Sequence, residues 1–200
     1  MNTAKIDFSA QELRLMADTN FLLTKRQITQ KMYEAFAELI KSYSALPEHI
    51  NLKFPEDIDY VTGKISKGEN YLGLPYIMLD FPRLFDNESI FAFRTMFWWG
   101  NFFSFTLLLQ GKCFDKYKAS VSKNKNLLHD QSAYICINGS QWHHHFETDN
   151  YIKIEELKMP VSELPFFKIS RKLDLHNIDT LEKFGTDTYR LFLSVLKNSQ

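Results

Sequence analysis

The residues best suited to chemistry lie in one short segment, which reads Trp-His-His-His-Phe-Glu from residue 142 to residue 147. We predict a strand over residues 141–147, and the two-residue period of a strand then places His143, His145 and Glu147 on one face. Two imidazoles and a carboxylate can hold a divalent transition metal and leave one position open for water. A metal-dependent hydrolase or oxygenase is therefore one hypothesis for the function.

The other histidines favour a simpler interpretation. His49, His129 and His176 are isolated in the sequence, and no second pair of ligands stands at a recognisable spacing. Histidines on a partly exposed strand can also bond to water or to backbone groups without a metal. We therefore predict no cofactor and keep the divalent transition metal as the alternative. Even without a metal, three adjacent imidazoles make this segment the most acid-sensitive part of the chain.

A second candidate is a cluster of aromatic side chains around one arginine. The chain has 18 Phe, 9 Tyr and 3 Trp among 200 residues, and many of these rings fall between residues 91 and 105. Aromatic side chains typically line small-molecule sites, and an anionic ligand in such a pocket would meet Arg94. The favoured interpretation is that the rings form the core, with Arg94 stacked on a ring, paired with a carboxylate or reaching solvent. The candidate pocket residues are Phe93, Arg94, Phe97, Trp98, Trp99 and Phe103.

A third candidate is a basic patch on a predicted helix. Its members are Lys112, Lys116, Lys118, Lys123 and Lys125. Lys and Arg together number 24 and Asp and Glu together number 24, so the formal net charge is zero. The chain therefore lacks the long-range field of a dedicated nucleic-acid or acidic-membrane binder. Weak nucleic-acid binding stays a further alternative, and a solvated helix face is the ordinary interpretation.

Several well-known signatures are missing from the sequence. It contains no G-x-G-x-x-G or G-x-x-x-x-G-K loop, no G-x-S-x-G elbow, no H-E-x-x-H helix and no C-x-x-C pair. Cys113 and Cys136 are too few for a disulfide framework. The first twenty residues lack the apolar stretch and cleavage site of a signal peptide. We therefore expect reduced thiols and a cytoplasmic protein.

The elements that must position these residues centre on an uncharged stretch from Thr95 to Gly111. A membrane-spanning helix needs about 20 predominantly apolar residues, and this stretch is shorter and has Gly100 and Asn101 near its middle. A Gly-Asn pair favours a two-residue turn. We therefore predict a β-hairpin with arms over residues 90–99 and 102–110, apolar on both faces, and no membrane partner.

The remaining elements follow from caps and from the spacing of apolar residues. A capping box from Ser9 to Glu12 predicts a helix over 10–17, and a second box beginning at Thr24 predicts a helix over 25–44 that ends before Pro47. Residues 48–75 are predicted as loops with at most a brief strand near Tyr60. The other predicted elements are a strand over 76–81, a modest helix around 114–121, strands over 133–138, 151–157 and 166–169, and a terminal helix beginning at 179 or 180.

Together these patterns predict one α+β domain whose mostly antiparallel sheet is centred on the aromatic hairpin. In this arrangement residues 1–47 are helical, residues 76–111 and 133–170 form the sheet, and residues 179–198 form the terminal helix. For the function we favour a non-catalytic binding module. Its partner would be a small apolar or aromatic ligand or another protein, and the sequence leaves self-association open.

Overall fold

The computed structural model describes residues 6–197 of the chain. Its helices are α1 (Ala10–Ala17), α2 (Thr19–Ser44), α3 (Pro47–Asn51), α4 (Lys112–Asn124) and α5 (Leu181–Ser194). Its strands are β1 (Lys64–Tyr71), β2 (Leu74–Phe85), β3 (Ser89–Trp98), β4 (Phe102–Gly111), β5 (Tyr134–Cys136), β6 (Tyr151–Lys153) and β7 (Phe166–Asp174). Residues 1–5 of the predicted helical segment and residue 198 of the predicted terminal helix lie outside the described residues.

The strands form one antiparallel sheet in the order β1-β2-β3-β4-β7-β5-β6, so β1 and β6 are its edges. The predicted aromatic hairpin is confirmed, because β3 and β4 pair along their whole length and Trp98 lies opposite Phe102. Gly100 in the connecting turn has a φ of 71°, a backbone conformation that glycine adopts without steric cost. Helices flank this sheet at both ends of the chain, which confirms the α+β class.

The sheet has two unlike faces, because side chains alternate along each strand. We call them the helix face, which packs against the helices, and the second face. In β3 the helix face carries Phe91, Phe93, Thr95 and Phe97. The second face carries Ile90, Ala92, Arg94, Met96 and Trp98 of the same strand. Both faces are buried, as the apolar character of both sides of the hairpin predicts.

Two long helices cover the helix face. The buried side chains of α2 recur at steps of three and four residues, which places them on one stripe: Met32, Phe36, Leu39 and Tyr43. Tyr43 lies at the centre of the contact. Its ring meets Phe93 edge-on at 5.3 Å between centroids, and its hydroxyl oxygen lies 3.3 Å from that of Thr95. On the other side its ring lies 4.7 Å from Tyr189 of α5, so one side chain joins both helices to the sheet.

Four sequence predictions of secondary structure are wrong. Helix α2 begins at Thr19, because the Asp18 carboxylate accepts a hydrogen bond from the Phe21 amide and caps the helix six residues before Thr24. Residues 48–75 were predicted as loops, but they contain the eight-residue strand β1, whose many polar residues do not give the hydrophobic pattern of a strand. Residues 141–147 form a loop, and β6 ends at Lys153, where a 3₁₀ turn over Ile154–Glu156 takes over.

The capping box of α1 is confirmed by both of its hydrogen bonds, from the Glu12 amide to the Ser9 hydroxyl and from the Ser9 amide to the Glu12 carboxylate. The uncharged stretch 95–111 lies in β3, β4 and their turn. Within residues 6–197, none of the helices combines the length and the apolar character that crossing a membrane requires.

Gly185 of α5 provides a test of the helix packing. A Cβ atom at this position would lie 2.8 Å from the Tyr43 hydroxyl oxygen and 2.9 Å from a ring carbon of Phe105. We expect Gly185→Ala to lower the free energy of unfolding by about 1–3 kcal/mol, because this overpacking outweighs the higher helix propensity of alanine. Urea denaturation measures the change. Gly139→Ala is the matched control, since a Cβ atom at residue 139 would meet no other atom within 4 Å. A stabilised Gly185→Ala protein would show that α5 does not approach the sheet this closely.

Candidate functional site

A row of polar side chains crosses the middle of the second face. In the strand register Asp80 lies opposite Arg94, Arg94 opposite Thr106, and Thr106 opposite Ser170, so the row spans four adjacent strands. All four residues are buried. Burial of polar groups is costly unless they are paired, and here each has a partner. Arg94 donates from Nε and Nη2 to the two carboxylate oxygens of Asp80 at 2.6 and 3.0 Å, and the Thr106 and Ser170 hydroxyls lie 2.8 Å apart.

A loop over residues 137–150, which we call the covering loop, lies on this face. It leaves the sheet after β5 and returns to it at β6. Its base is closed by the Ile137 amide, which donates to the Asn150 carbonyl at 2.9 Å. Inside the loop, the side-chain amides of Asn138 and Asn150 donate to the carbonyls of Asp149 and His145. The covering loop is therefore a closed unit with its own hydrogen bonds, although it has no strand.

Two side chains from the sheet hold the covering loop in place. The Tyr71 hydroxyl, at the end of edge strand β1, accepts hydrogen bonds from the backbone amides of His144 and His145. Lys168 of β7 donates from Nζ to the carbonyl of His143. Lys168 is only 1% exposed, and burial lowers its pKa to about 8. The loop backbone at 143–145 thus depends on one hydroxyl and one buried ammonium group.

Aromatic side chains of the covering loop pack against rings outside the loop at two positions, Trp142 and Phe146. On one side Trp142 stacks on Phe85 at 6.3 Å between centroids, and the Arg94 guanidinium lies over both rings at 5.8 and 5.5 Å. On the other side Phe146 stacks on Tyr151 at 4.7 Å. Arg94 therefore both pairs with a carboxylate and stacks on rings, which are two of the three outcomes that the sequence allows for a buried arginine.

Between the covering loop and strands β1 and β2 lies a cleft of about 640 Å³. Its apolar and aromatic lining is formed by Tyr71, Tyr76, Met78, Phe85 and Trp142. Its charged and hydrogen-bonding lining includes Lys64, Asp80, Arg83, Arg94 and His144. A register shift in β2 between Asp80 and Arg83 brings both of these residues to the same face, because a bulge changes the alternation of side chains.

His144 forms part of the cleft wall and is buried, with its ring 5.3 Å from that of Tyr71. Burial lowers the pKa of this imidazole well below 6.5, and the neighbouring charges of Lys168 and Arg94 lower it further. His143 and His145 act in the same direction. The imidazole is therefore neutral near pH 7, and a proton on it would place a third positive charge beside two existing ones.

The structure divides the predicted pocket residues between the two faces. Phe93, Phe97 and Phe103 lie in the core of the helix face, and Trp99 packs beside Phe97 with ring centroids 4.9 Å apart. Arg94 lies on the second face and lines the cleft. Trp98 lies on the same face, 5% exposed, with its ring 5.1 Å from Tyr71. The six residues therefore do not meet at one site, and Arg94 is the one that reaches the cleft.

The predicted metal ligands lie on the covering loop. The rings of His143 and His145 have centroids 5.6 Å apart, and Glu147 is exposed. Both ring nitrogens of His145 have partners, since Nδ1 lies 3.0 Å from the Tyr71 hydroxyl and Nε2 lies 3.3 Å from Asp149. In the described chain, 6–197, no three His, Cys, Asp or Glu side chains are grouped so as to hold a metal ion. The loop therefore does not bring these three residues together as a ligand set.

Three of the five lysines of the predicted basic patch have local partners. Lys112 pairs with Glu88, Lys118 lies 3.9 Å from Asp115, and Lys116 donates to the Phe54 carbonyl at 3.0 Å.

The sequence analysis missed two residues that define the site, Tyr71 and Lys168. Tyr71 falls in the segment predicted as loops, and its sequence carries no signal of its role. Lys168 did carry one, because it is a single charge within the apolar run from Phe166 to Ile169.

Tyr71→Phe tests whether one hydroxyl fixes the covering loop. The variant keeps the ring but leaves the amides of His144 and His145 without their acceptor, and an unsatisfied buried donor costs about 1–3 kcal/mol. We expect faster amide hydrogen exchange at both residues and a lower free energy of unfolding. Tyr76→Phe is the control, because Tyr76 lines the same cleft without contributing to these bonds. Unchanged exchange in Tyr71→Phe would contradict this role of the hydroxyl.

His144→Phe tests the buried imidazole. In the unfolded wild-type chain His144 binds a proton near pH 6.5, whereas in the folded chain it stays neutral at that pH. The free energy of unfolding therefore falls as the pH drops below 6.5. One such proton corresponds to a slope of about 1.4 kcal/mol per pH unit. We expect His144→Phe to have a shallower slope in urea titrations at mildly acidic pH. The exposed neighbour in His143→Phe serves as the control, and equal slopes for His144→Phe and wild type would rule out a neutral buried His144.

No model of a known protein family, no curated protein and no solved structure matches this chain. What can be inferred about its function comes from the second face of the sheet, the covering loop and the cleft between them.

Proposed function

We propose that this chain is a non-catalytic binding module that holds a small aromatic ligand in the cleft beneath the covering loop. The volume of the cleft is the observation that carries the proposal. Small-molecule sites typically measure about 300–1,000 Å³, and this cleft measures about 640 Å³. The volume therefore suits a ligand of one or two fused rings rather than a macromolecule.

The lining supports an aromatic ligand. Rings of Tyr71, Tyr76, Phe85 and Trp142 surround the cleft, with Met78 among them. Aromatic rings attract one another in offset or edge-to-face contacts, and methionine sulfur adapts to ring edges. A planar ligand can therefore bury both of its faces against side chains that the fold already holds in position.

The polar groups of the cleft favour an acceptor on the ligand. Arg83 pairs through Nη2 with Asp59 at 3.2 Å, but its Nε is buried and has no partner within the described residues. Lys64 adds a second cation to the lining, while the charges of Arg94 and Asp80 compensate each other. A carboxylate or phenolic oxygen on the ligand would be attracted by the positive charges of Arg83 and Lys64, which both line the cleft.

The same contacts support binding without catalysis. Both carboxylate oxygens of Asp80 accept hydrogen bonds from Arg94, so this carboxylate is already engaged in a buried ion pair. The two thiols are also poor nucleophiles. Both are buried, and burial raises the pKa of Cys113 to about 11 and that of Cys136 above its usual value. The engaged carboxylate and the two poorly reactive thiols therefore favour binding over catalysis.

The proposal can be tested by NMR titration with three probes: 2-naphthol, naphthalene-2-carboxylate and indole-3-acetate. We expect saturable chemical-shift changes at the side chains of Tyr71, Trp142 and Arg94, with the two carboxylates binding more tightly than 2-naphthol because of Arg83 and Lys64. Ser66→Trp fills the cleft from β1 and is expected to abolish these changes.

Lys67→Trp is the matched control. It adds the same ring one residue further along β1, where the side chain lines a separate groove, and binding should persist. Shift changes that survive Ser66→Trp, or that map to another surface, would show that the cleft is not the ligand site.

A further inference from the structure

The N-terminal part of the chain forms an exposed apolar arm, which we define as residues 6–24. Every residue in this range is exposed, and α1 contributes no buried side chain. Eight large apolar side chains on the arm are each about half exposed or more. They are Ile6, Phe8, Leu13, Leu15, Met16, Phe21, Leu22 and Leu23. Contiguous apolar surface of this kind on a folded domain marks a contact site.

The first buried side chain of α2 is Met32, so the turns of this helix before Met32 contribute no buried side chain to the core. The apolar stripe that buries Met32 and Phe36 continues towards the N-terminus through Ile28 to Phe21. Phe21 lies eleven residues before Met32, which is about 16 Å along the helix axis. At that distance from the buried stripe, Phe21 is 49% exposed. The core pattern therefore extends beyond the core of this chain.

The size of the patch fits a protein interface. Eight large side chains at about half exposure offer on the order of 100 Å² each, and a standard protein interface buries about 800 Å² on each partner. The spacing in α1 gives this surface a direction, because Leu13 and Met16 lie three residues apart on one side of the helix. The arm alone thus provides enough apolar surface for one side of a stable contact.

The distribution of charge along residues 6–31 favours a second copy of this chain as the partner. Residues 6–18 are acidic, with Asp7, Glu12 and Asp18 against Arg14. The turns of α2 that follow the arm are basic, with Arg26 and Lys31 and no acidic residue before Glu34, while Lys25 pairs with Glu69 of β1 at 3.2 Å. Two identical segments laid antiparallel place the acidic half of each against the basic turns of the other. A two-fold contact needs this self-complementarity, because each patch must match its own copy.

We propose that residues 6–31 of two copies of this chain pair antiparallel across a two-fold axis, with the apolar faces of the arms in contact and the acidic and basic halves opposed. This dimer would leave the cleft on the second face outside the contact. It therefore neither requires the proposed ligand nor excludes it.

Analytical ultracentrifugation of the full chain over a range of micromolar concentrations tests the proposal. We expect the wild type to approach twice the 23.6 kDa of one chain. Leu13→Gln with Met16→Gln should weaken association at least tenfold without lowering the melting temperature of the monomer, because these side chains are exposed and glutamine preserves the helix. Arg26→Glu with Lys31→Glu should weaken it as well, and added salt should weaken the wild-type dimer.

Ile50→Gln with Val61→Gln is the matched control. These side chains are 68% and 70% exposed but lie outside the arm, so this variant should remain a dimer. A monomeric wild type, or a dimer that the arm variants leave unchanged, would overturn the proposal. Association into ever larger species would also overturn it, because a two-fold contact closes at two copies. A wild type that stays monomeric and co-sediments with phosphatidylcholine vesicles would overturn the proposal too, because the apolar arm would then bind a lipid surface.

Discussion

The buried pair between Arg94 and Asp80 determines how the whole second face of the sheet is built. An arginine left buried without its carboxylate costs about 3–5 kcal/mol, so this face cannot be covered by an ordinary apolar helix. It needs a cover that brings backbone carbonyls, hydroxyls and rings to the polar row. The covering loop places the Trp142 ring beside Arg94 and a backbone carbonyl beside Lys168, whereas the helix face, with Phe93 and Phe105, packs directly against α2 and α5.

A loop covers a sheet less completely than a helix layer does. The covering loop reaches Tyr71 at the end of β1 and Lys168 on β7, and the space between these two contacts and β2 is not filled. The cleft is thus a direct result of a polar sheet face covered by a single loop. The bulge in β2 adds to it, because Arg83 reaches this face while Leu84 packs into the core.

The sequence predicts those parts of the fold that depend on local patterns. The Gly100-Asn101 turn, the two-sided apolar hairpin and the Ser9 capping box all depend on neighbouring residues, and all are confirmed. Strand β1 was missed because it lies at an edge and its side chains are largely polar. Of the residues that form the candidate site, the sequence predicts Arg94 but not Tyr71 or Lys168, which approach the covering loop only in three dimensions. The period of a strand was also assumed for residues 141–147, which belong to a loop whose order comes from its own hydrogen bonds.

The two edges of the sheet, β1 and β6, are poorly suited to pairing with strands of other chains. An unpaired strand that is long, flat and apolar can recruit strands from other chains into fibrils. Here β6 has three residues, and β1 carries Lys64, Lys67 and Glu69 and has a register irregularity before Tyr71. Charge, a register irregularity and shortness thus make both edges poor templates for fibril growth.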